Sequence, residues 1–297
     1  MGKSNKNIVI TGGAGFVGTN LINLLLIKTK YKIISIDNYS SGFAKNHVKN
    51  QRVQYIKGNT KNIAQILKDY KNINTIFHFG EFARIYQSFL NMNQCIESNS
   101  VGSNAVFNFC LKNKVKLIYS ATSASLGNKG KDKNLSPYAF TKSKNLELLE
   151  NLKKWFKFKY EVIYFYNVYG PHQISKGKMA TVIGIFEEYY KKKKPLPVVK
   201  PGSQTRRFTH INDTVEVCYI AWKKNLCRHY SIANKKTYSL VEVAKMFGSK
   251  IKFLKKRPGE RYASALTNVI FSNKVHKYFG KTDLRSYIKK ILMTRKV

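Results

Sequence analysis

The sequence predicts an α/β fold in which a doubly wound parallel sheet carries a smaller C-terminal, substrate-binding lobe. Three observations predict it: a glycine-rich turn joins a β-branched run to a helical run early in the chain, short apolar runs then alternate with helical periods up to residue 167, and the pattern loosens afterwards. Alternating strands and helices form parallel sheets covered on both faces, and ligands bind at the carboxyl ends of the strands. A functional site is expected along that edge.

The first element is the stretch IVITGGAGFVGTNLINLLL, residues 8–26. Gly12 permits a tight turn after the strand, Gly15 lets a ligand approach the backbone, and Gly18 lets the helix pack on the strand. The helical period starts at Phe16 and Val17, and N–H groups at a helix start face an anion. A plain turn is the alternative interpretation, because a glycine-rich loop alone is weak evidence.

The second element is an apolar strand at residues 32–36 that ends in Asp37. An acidic residue about 20 positions after such a turn accepts the ribose hydroxyls of a dinucleotide and repels a 2′-phosphate. Asp37 could instead serve as a turn residue. The order of strand, glycine loop, helix, strand and acid favours a Rossmann arrangement that binds NAD over NADP.

Further strands are predicted at residues 53–57, 75–79, 116–120 and 161–166, and a helix at residues 180–191. The alternation and its loss predict a dinucleotide-binding domain at residues 1–167 and a mainly substrate-binding lobe at residues 168–297. Some strands and helices of the second segment are expected to return to the first.

The chain has 297 residues and a formal net charge of +39. Its lysines are spread through nearly every segment, and the one dense run is at residues 191–194. This distribution favours a solvated basic surface over a nucleic-acid-binding stripe, although the charge would steer an anionic substrate by long-range attraction.

The apolar runs are shorter than the roughly 18 residues that span a bilayer, and no signal peptide is evident, so a cytoplasmic protein without membrane contact is expected. The cysteines lack the spacing of zinc or redox sites and are expected to be buried fillers. His78, His172 and His210 also lack metal-ligand spacing and are interpreted as structural. The sequence therefore predicts no metal site.

Tyr138 and Lys142, in the segment SPYAFTK, have the spacing that places two side chains on one helix face. The pairs Tyr189/Lys193, Tyr190/Lys194 and Tyr219/Lys223 share that spacing. Position distinguishes the first pair, because Pro137 suits a helix start and a hydroxyl-rich strand end lies just upstream. A nearby ammonium lowers the pKa of a tyrosine, as general base catalysis near neutral pH requires.

Seven segments together resemble one family. They are TGGAGFVG, Asp37-Asn38, HFGEFAR, SPYAFTK, YFYNVYGP, GSQTRRFTHIND and RPGE. The chain resembles the extended short-chain dehydrogenases/reductases and, among them, the nucleotide-sugar epimerases and dehydratases of the UDP-glucose 4-epimerase type. The resemblance covers almost the whole length.

The resemblance implies that Tyr138 is the catalytic base and acid, and that Lys142 is its partner and holds the nicotinamide ribose. It implies that Thr122 bonds the reacting sugar oxygen, with Ser123 and Ser125 as nearby competitors. The further NAD-binding residues that it implies are Asn38, Asn59, Phe79, Gly80 and Asn99.

On the substrate side, the resemblance assigns Asn167 to a position near the nucleotide-sugar phosphates. It assigns Arg206 and Arg257 to the diphosphate and Glu260 to the nucleoside ribose, and Arg207 could take the place of Arg206. Arginine suits these positions because its planar guanidinium matches phosphate oxygens.

The chain also departs from the family pattern. Asn59 stands where an aspartate commonly binds the adenine amino group, although its amide oxygen could accept the same bond. The segment between Thr122 and Tyr138 is shorter than usual. In GEFAR, Glu81 and Arg84 replace small residues and either contact a substrate group or pair with each other.

The resemblance favours NAD-dependent 4-epimerisation of a nucleotide sugar, most simply a UDP-sugar, by a homodimer. In 4,6-dehydratases an Asp-Glu pair follows the strand-end threonine, whereas this chain has Ser123 and Ala124. A 4-keto-sugar reductase needs the same catalytic residues and stays an alternative. A non-catalytic NAD-sensing or RNA-binding module is a third hypothesis, and the set Thr122, Tyr138 and Lys142 argues against it.

Overall fold

A parallel sheet of eight strands runs through the part of the chain that the computed structural model describes, residues 6–125, 133–259 and 275–294. The strands of the chain are β1 (Asn7–Thr11), β2 (Lys32–Asp37), β3 (Val53–Lys57), β4 (Ile73–His78), β5 (Lys116–Thr122), β6 (Tyr160–Phe165), β7 (Val168–Tyr169), β8 (Leu196–Val199), β9 (Thr205–Arg206), β10 (Thr209–His210), β11 (His229–Ala233), β12 (Tyr238–Ser239), β13 (Ile251–Leu254) and β14 (Val275–Phe279).

The helices are α1 (Phe16–Lys28), α2 (Ile63–Ile66), α3 (Ile85–Leu90), α4 (Met92–Ile96), α5 (Ser103–Lys112), α6 (Pro137–Phe156), α7 (Val182–Lys191), α8 (Ile211–Lys224), α9 (Leu240–Met246) and α10 (Leu284–Met293). A π-helical segment, Glu97–Gly102, joins α4 to α5.

The main sheet has the order β3-β2-β1-β4-β5-β6-β11-β14, and all of its pairs are parallel. The order reverses at β1, so β2 and β4 lie on either side of the strand that precedes the glycine turn. Such a switch point is where doubly wound sheets bind ligands.

Apolar side chains fill both faces of this sheet. Val9 packs on one face with residues of α5 and α6, whereas Ile8 and Ile10 pack on the other face with residues of α1 and α8. Parallel strands read as continuous apolar runs because helices cover them on both sides. The predicted doubly wound α/β fold is confirmed.

Helix starts follow local signals. Ser136 accepts a hydrogen bond from the Ala139 N–H at 3.1 Å, and Pro137 takes the first helical position of α6. The helix expected at residues 180–191 begins at Val182, because Thr181 is its N-cap and accepts from the Gly184 N–H at 3.1 Å.

Part of the chain after residue 167 forms a second core. Residues of α7, β8, α9 and α10 pack together around side chains such as Phe186 and Phe247. The elements α8, β11 and β14 lie on the main sheet instead. The division into domains at residue 167 stays a prediction.

Among the described residues no helix combines the length and apolar character needed to cross a membrane. Cys95, Cys110 and Cys218 are buried free thiols, as expected of filler residues. The expectation is wrong for Cys227, which is only half-buried because it follows α8 in the connection to β11.

Candidate functional site

The turn after β1 is closely packed. Gly12 has a φ of +72°, and a Cβ there would lie 2.9 Å from the backbone of Phe79 and Gly80, just after β4. A Cβ on Gly18 would lie 2.2 Å from the Gly12 carbonyl oxygen. Side chains are excluded at both positions, so the turn brings the start of α1 against the strand ends, with Gly15 as the N-cap.

Asp37 lies at the end of β2, beside this turn. Its carboxylate accepts hydrogen bonds from the Ala14 N–H at 3.0 Å and the Tyr39 N–H at 2.8 Å. Burial raises the pKa of Asp37 and outweighs these two bonds, which lower it. Asp37 therefore joins the second strand directly to the glycine turn.

A cleft lies between the loop after β2 and the segment after β4. Asn38, Asn59 and Glu81 line a cavity of about 150 Å³, and a neighbouring cavity of about 370 Å³ shares Phe82 and Met179 with it. The Asn59 Oδ1 accepts from the Lys61 N–H at 3.1 Å and has a second lone pair for a ligand. The glycine turn, the Asp37 carboxylate and this polar cleft fit a dinucleotide.

Thr122 and Tyr138 meet at the carboxyl end of β5. The Tyr138 hydroxyl is hydrogen-bonded to Thr122, and burial raises the pKa of Tyr138 to about 12 against the effect of that bond. The Thr122 Oγ1 also accepts from the Ala124 N–H at 3.2 Å. The structure thus places the Thr122 hydroxyl beside that of Tyr138, and the role of Thr122 toward a sugar oxygen stays a prediction.

Lys142 lies one helical turn after Tyr138 on α6. Its ammonium donates to the Glu81 carboxylate and to the Ser120 carbonyl oxygen at 2.5 Å, and it lies 4.6 Å from the centroid of the Tyr119 ring. Burial lowers the pKa of Lys142, and Glu81 opposes that shift. The amino group is thus held inside the protein by a carboxylate.

The hypothesis that Glu81 and Arg84 pair with each other is wrong. Glu81 bonds Lys142, whereas Arg84 donates to the carbonyl oxygens of Met179 at 2.8 Å and Ala83 at 2.7 Å. The two side chains separate because Glu81 finds its partners in the core, among them the Tyr119 hydroxyl at 3.0 Å.

Asn99 fixes the segment that follows β4. Its carboxamide accepts from the Phe82 N–H at 2.6 Å and donates to the Phe82 carbonyl at 3.0 Å. This places Asn99 beside the cleft, engaged with the backbone. Phe79 and Gly80, at the start of the same segment, donate their N–H groups to the Thr11 hydroxyl at 3.1 and 3.0 Å.

His78 links the glycine turn to this segment. The Thr11 hydroxyl bonds its Nδ1 at 2.7 Å, and Ser103 bonds its Nε2 at 2.9 Å. Burial lowers the pKa of His78 to about 4. The ring is neutral at physiological pH and holds two strand ends together.

The substrate-side residues lie on the loops and short strands after β6. Asn167 has a φ of +38° and donates to the Arg207 carbonyl at 3.2 Å, while Arg206 donates to the Thr205 carbonyl at 2.9 Å. Arg207 donates to the carbonyls of Asn234 and Lys235. Both arginines thus donate to backbone carbonyl groups, and the choice between Arg206 and Arg207 as a phosphate ligand stays a prediction.

The second predicted phosphate ligand, Arg257, lies over the ring of Tyr86 with its guanidinium carbon 5.0 Å from the centroid. A Cβ on Gly259 would lie 2.8 Å from Ile85 and Phe89, so this segment packs against α3. Glu260 lies outside the described residues. The roles of the predicted substrate-binding residues stay predictions.

Sequence reasoning missed several contacts of the site. Gly13 packs so closely on Ser35 that a Cβ would lie 2.1 Å from the Ser35 Oγ, and Met179 packs against the cluster that contains Tyr138. The Gly12-Gly13 doublet was a signal for the first contact. No local signal pointed to the second, because residues 138 and 179 meet only in the folded chain.

Comparison with known proteins supports the geometry. Residues 8–233 match the sequence profile of the NAD-dependent epimerase/dehydratase family. Over 232 residues the chain is 25% identical to a protein of Methanocaldococcus jannaschii named putative UDP-glucose 4-epimerase, and the match covers 74% of this chain and 75% of the other.

Solved structures share the fold. The UDP-glucose 4-epimerase of Thermotoga maritima, solved with UDP-glucose, has a TM-score of 0.83 at 22% identity, and the match covers 98% of this chain and 99% of that one. The dTDP-glucose 4,6-dehydratase of Streptomyces venezuelae, solved with NAD, has a TM-score of 0.85 at 17% identity, with coverage of 98% and 97%.

The profile match confirms the resemblance carried by the seven sequence segments and the expectation of NAD as cofactor. It extends from the first strand of the sheet to the end of β11, and so includes the glycine turn, Thr122, Tyr138 and Lys142. This chain therefore belongs to the NAD-dependent epimerase/dehydratase family.

Proposed function

We propose that this protein catalyses epimerisation at C4 of a nucleotide-activated sugar, a UDP-hexose or UDP-N-acetylhexosamine. The observation that carries the proposal is the contact between Thr122 and Tyr138 near Lys142. These residues lie at the same edge of the sheet as the glycine turn after β1. Bound NAD would supply the hydride transfer from C4 and back to the other face of the ring. Chemistry at C4 then needs one acid/base group from the protein.

Tyr138 is that group. As a phenolate it takes the proton from O4 while C4 is oxidised, and as a phenol it returns the proton when C4 is reduced. Its pKa of about 12 in the free protein must fall by roughly four units for half ionisation at about pH 8, which is about 5 kcal/mol of phenolate stabilisation. Positive charge brought by the cofactor acts in that direction, and Arg84 also lowers the pKa of Tyr138.

Thr122 orients the reacting oxygen. Its hydroxyl already bonds that of Tyr138, so a sugar O4 placed between the two exchanges one hydroxyl partner for another. Lys142 holds the nicotinamide ribose with its ammonium, and Asp37 holds the adenosine ribose. The Gly12, Gly15 and Gly18 turn, with Phe16 and Val17, receives the pyrophosphate.

The 4-keto sugar must present both faces to the same hydride carrier, so the ring turns while its nucleotide stays bound. We assign the diphosphate to Arg206 and Arg257, assisted by Asn167, and the nucleoside ribose to Glu260. Guanidinium groups hold phosphate oxygens through paired hydrogen bonds, so the anchor survives rotation of the sugar.

Dehydration is the nearest alternative, since a 4,6-dehydratase shares the fold. It requires proton transfer at C5 and C6 in addition to C4. Ser123 and Ala124 occupy the relevant positions, and the methyl group of Ala124 is buried in the cluster with Tyr138 and Phe82. An alanine there supplies no proton, which favours epimerisation.

The test is incubation of the protein with UDP-hexoses and UDP-N-acetylhexosamines, followed by mass spectrometry and NMR of the C4 proton. Epimerisation gives a C4 epimer of unchanged mass, reaches one equilibrium mixture from either side and consumes no added NADH. A product lighter by one water identifies a dehydratase, and stoichiometric loss of added NADH identifies a reductase. Either outcome replaces the proposed reaction.

We further propose a homodimer that works in the cytoplasm. Apolar side chains are exposed on α3, α4 and α6, which lie side by side: Leu90, Met92, Ile96, Phe140, Trp155 and Phe156. Exposed apolar surface of this kind is typical of protein interfaces. Light scattering after size exclusion tests this assignment, and a monomer at micromolar concentration contradicts it.

A further inference from the structure

We propose that Glu81 is a positioning residue of the active site, which holds the Lys142 ammonium in one orientation and keeps it charged. The inference rests on the proposed function, in which Lys142 serves Tyr138 and the nicotinamide ribose. Glu81 stands in the segment GEFAR, three residues after the end of β4.

The ammonium of Lys142 is held at two points. One N–H group donates to the Glu81 Oε2 and another to the Ser120 carbonyl oxygen at 2.5 Å. An ammonium has three N–H donors on a tetrahedral nitrogen, so two fixed bonds determine the direction of the third. The Ser120 Oγ lies 3.5 Å from the Lys142 nitrogen, and the third donor can exchange this long contact for one to the cofactor ribose or to Tyr138.

Glu81 is itself fixed from several elements. Its Oε1 accepts from the Ser103 hydroxyl at 2.8 Å, the Tyr119 hydroxyl at 3.0 Å and the Asn145 amide at 3.3 Å. Ser103 in turn bonds the neutral ring of His78. The carboxylate therefore has a defined position, held by donors from α5, β5 and α6.

The pair is buried. The side chains of Lys142 and Glu81 are 4% and 2% exposed, and a cation so placed without a counter-charge tends to lose its proton. Glu81 raises the pKa of Lys142 and also raises that of Tyr138. The carboxylate thus keeps Lys142 protonated and raises the pH at which Tyr138 ionises.

Other ionisable groups that face the pair do not replace this effect. Burial keeps the pKa of Cys95 at about 11 and that of Tyr119 well above its usual value, so both are neutral over the working range. Arg84 acts on Tyr138 in the opposite sense to Glu81, because it lowers the pKa of that residue. Removal of Glu81 therefore shifts both active-site groups in the same direction.

The test compares Glu81→Gln with Glu147→Gln. The carboxylate of Glu147 pairs with Lys144 on the surface of α6, the helix that carries Lys142. In E81Q both limbs of the pH profile for epimerisation, the acid limb of Tyr138 and the alkaline limb of Lys142, are expected to move to lower pH by about one unit or more. E147Q leaves both limbs in place. Glu81→Asp keeps the charge, so its turnover falls while its limbs stay close to those of the wild type.

NAD binding gives a readout that does not need the proposed reaction. Calorimetry from about pH 6 to about pH 10 is expected to show the alkaline loss of NAD affinity at lower pH in E81Q than in the wild type and in E147Q. Failure to epimerise any sugar, with this shift present, would overturn the reaction and leave the role of Glu81 standing.

Thermal unfolding of E81Q, K142M and the double variant completes the design. Each single change leaves one buried charge unpaired. The double variant is therefore expected to be more stable than the sum of the two single destabilisations predicts, by on the order of tenfold in the unfolding equilibrium constant. If E81Q lowers turnover with unshifted pH profiles for both epimerisation and NAD binding, or if the cycle shows no coupling, the positioning role is refuted.

Discussion

Replacement of Tyr138 with phenylalanine separates the chemistry of the site from its folding, because it removes one oxygen atom and keeps the ring. The hydroxyl bonds Thr122, while the backbone N–H of residue 138 donates to the Ser88 hydroxyl at 3.2 Å and is unaffected. The perturbation is therefore confined to the hydroxyl group proposed as the acid and base.

The two expected magnitudes differ widely. Loss of general acid/base catalysis commonly costs 10²–10⁴-fold in rate, or about 3–5 kcal/mol of barrier. Loss of one buried hydroxyl bond changes the free energy of unfolding by about 0.5–1.5 kcal/mol. Because NAD contacts Lys142 and the glycine turn in the proposed complex, its affinity is expected to change little.

The assay measures turnover, NAD binding and thermal unfolding for Y138F beside Tyr190→Phe. Tyr190 has the same spacing to a lysine, but its ring packs against Phe247 in the second core, 5.9 Å between centroids. Y190F is expected to keep its turnover. Turnover within a few fold of wild type in Y138F would refute the assignment of Tyr138 as the base.

Three further predictions follow from the same geometry. Asp37 is expected to make NAD bind more tightly than NADP, and Asp37→Ala to reduce the ratio of the two affinities in calorimetric titrations. Tighter binding of NADP than of NAD by the wild type would contradict this. Arg206→Met and Arg257→Met are expected to raise the KM for the nucleotide sugar with little change in kcat. Arg207→Met loses bonds to two backbone carbonyls and should mainly lower thermal stability. An unchanged KM in both R206M and R257M would refute the assignment of these arginines to the diphosphate. His78 has a pKa of about 4 in the folded protein against 6.5 in the unfolded chain, so stability present above pH 6.5 is lost as the pH falls through 4, by about 3 kcal/mol. His78→Gln should therefore weaken the pH dependence of the free energy of unfolding in this range. The same pH dependence in the variant and the wild type would exclude His78 as its cause.

Local signals were enough to predict much of the fold. The glycine turn and α1 follow from the spacing of Gly12, Gly15 and Gly18, and the start of α6 from Pro137. These features depend on conformations that neighbouring residues impose on one another. The bounds predicted for the strand at 75–79 were wrong by one or two residues, since β4 begins at Ile73 and ends at His78. Apolar periodicity does not mark strand ends.

Contacts between distant segments could not be predicted in the same way. Glu81 and Lys142 are 61 residues apart, and they meet because β4 pairs with β5 and α6 then crosses over that strand end. From the sequence, Arg84 was the nearer candidate partner for Glu81. The buried donors on α5, β5 and α6 decided the outcome, and their convergence depends on strand order.

The charges of this protein act on two scales. The chain has 54 Lys and Arg residues against 15 Asp and Glu residues, so its net positive charge attracts anions from a distance. In the candidate site, however, the carboxylate of Glu81 offsets the ammonium of Lys142, and both side chains are buried. Attraction over long distance therefore comes from the surface, while phenolate formation at Tyr138 depends on the few charges beside it: Glu81 opposes it, Arg84 favours it, and the cofactor adds positive charge only when bound. In the proposed mechanism this arrangement keeps Tyr138 protonated in the free protein, and the bound cofactor would promote its ionisation.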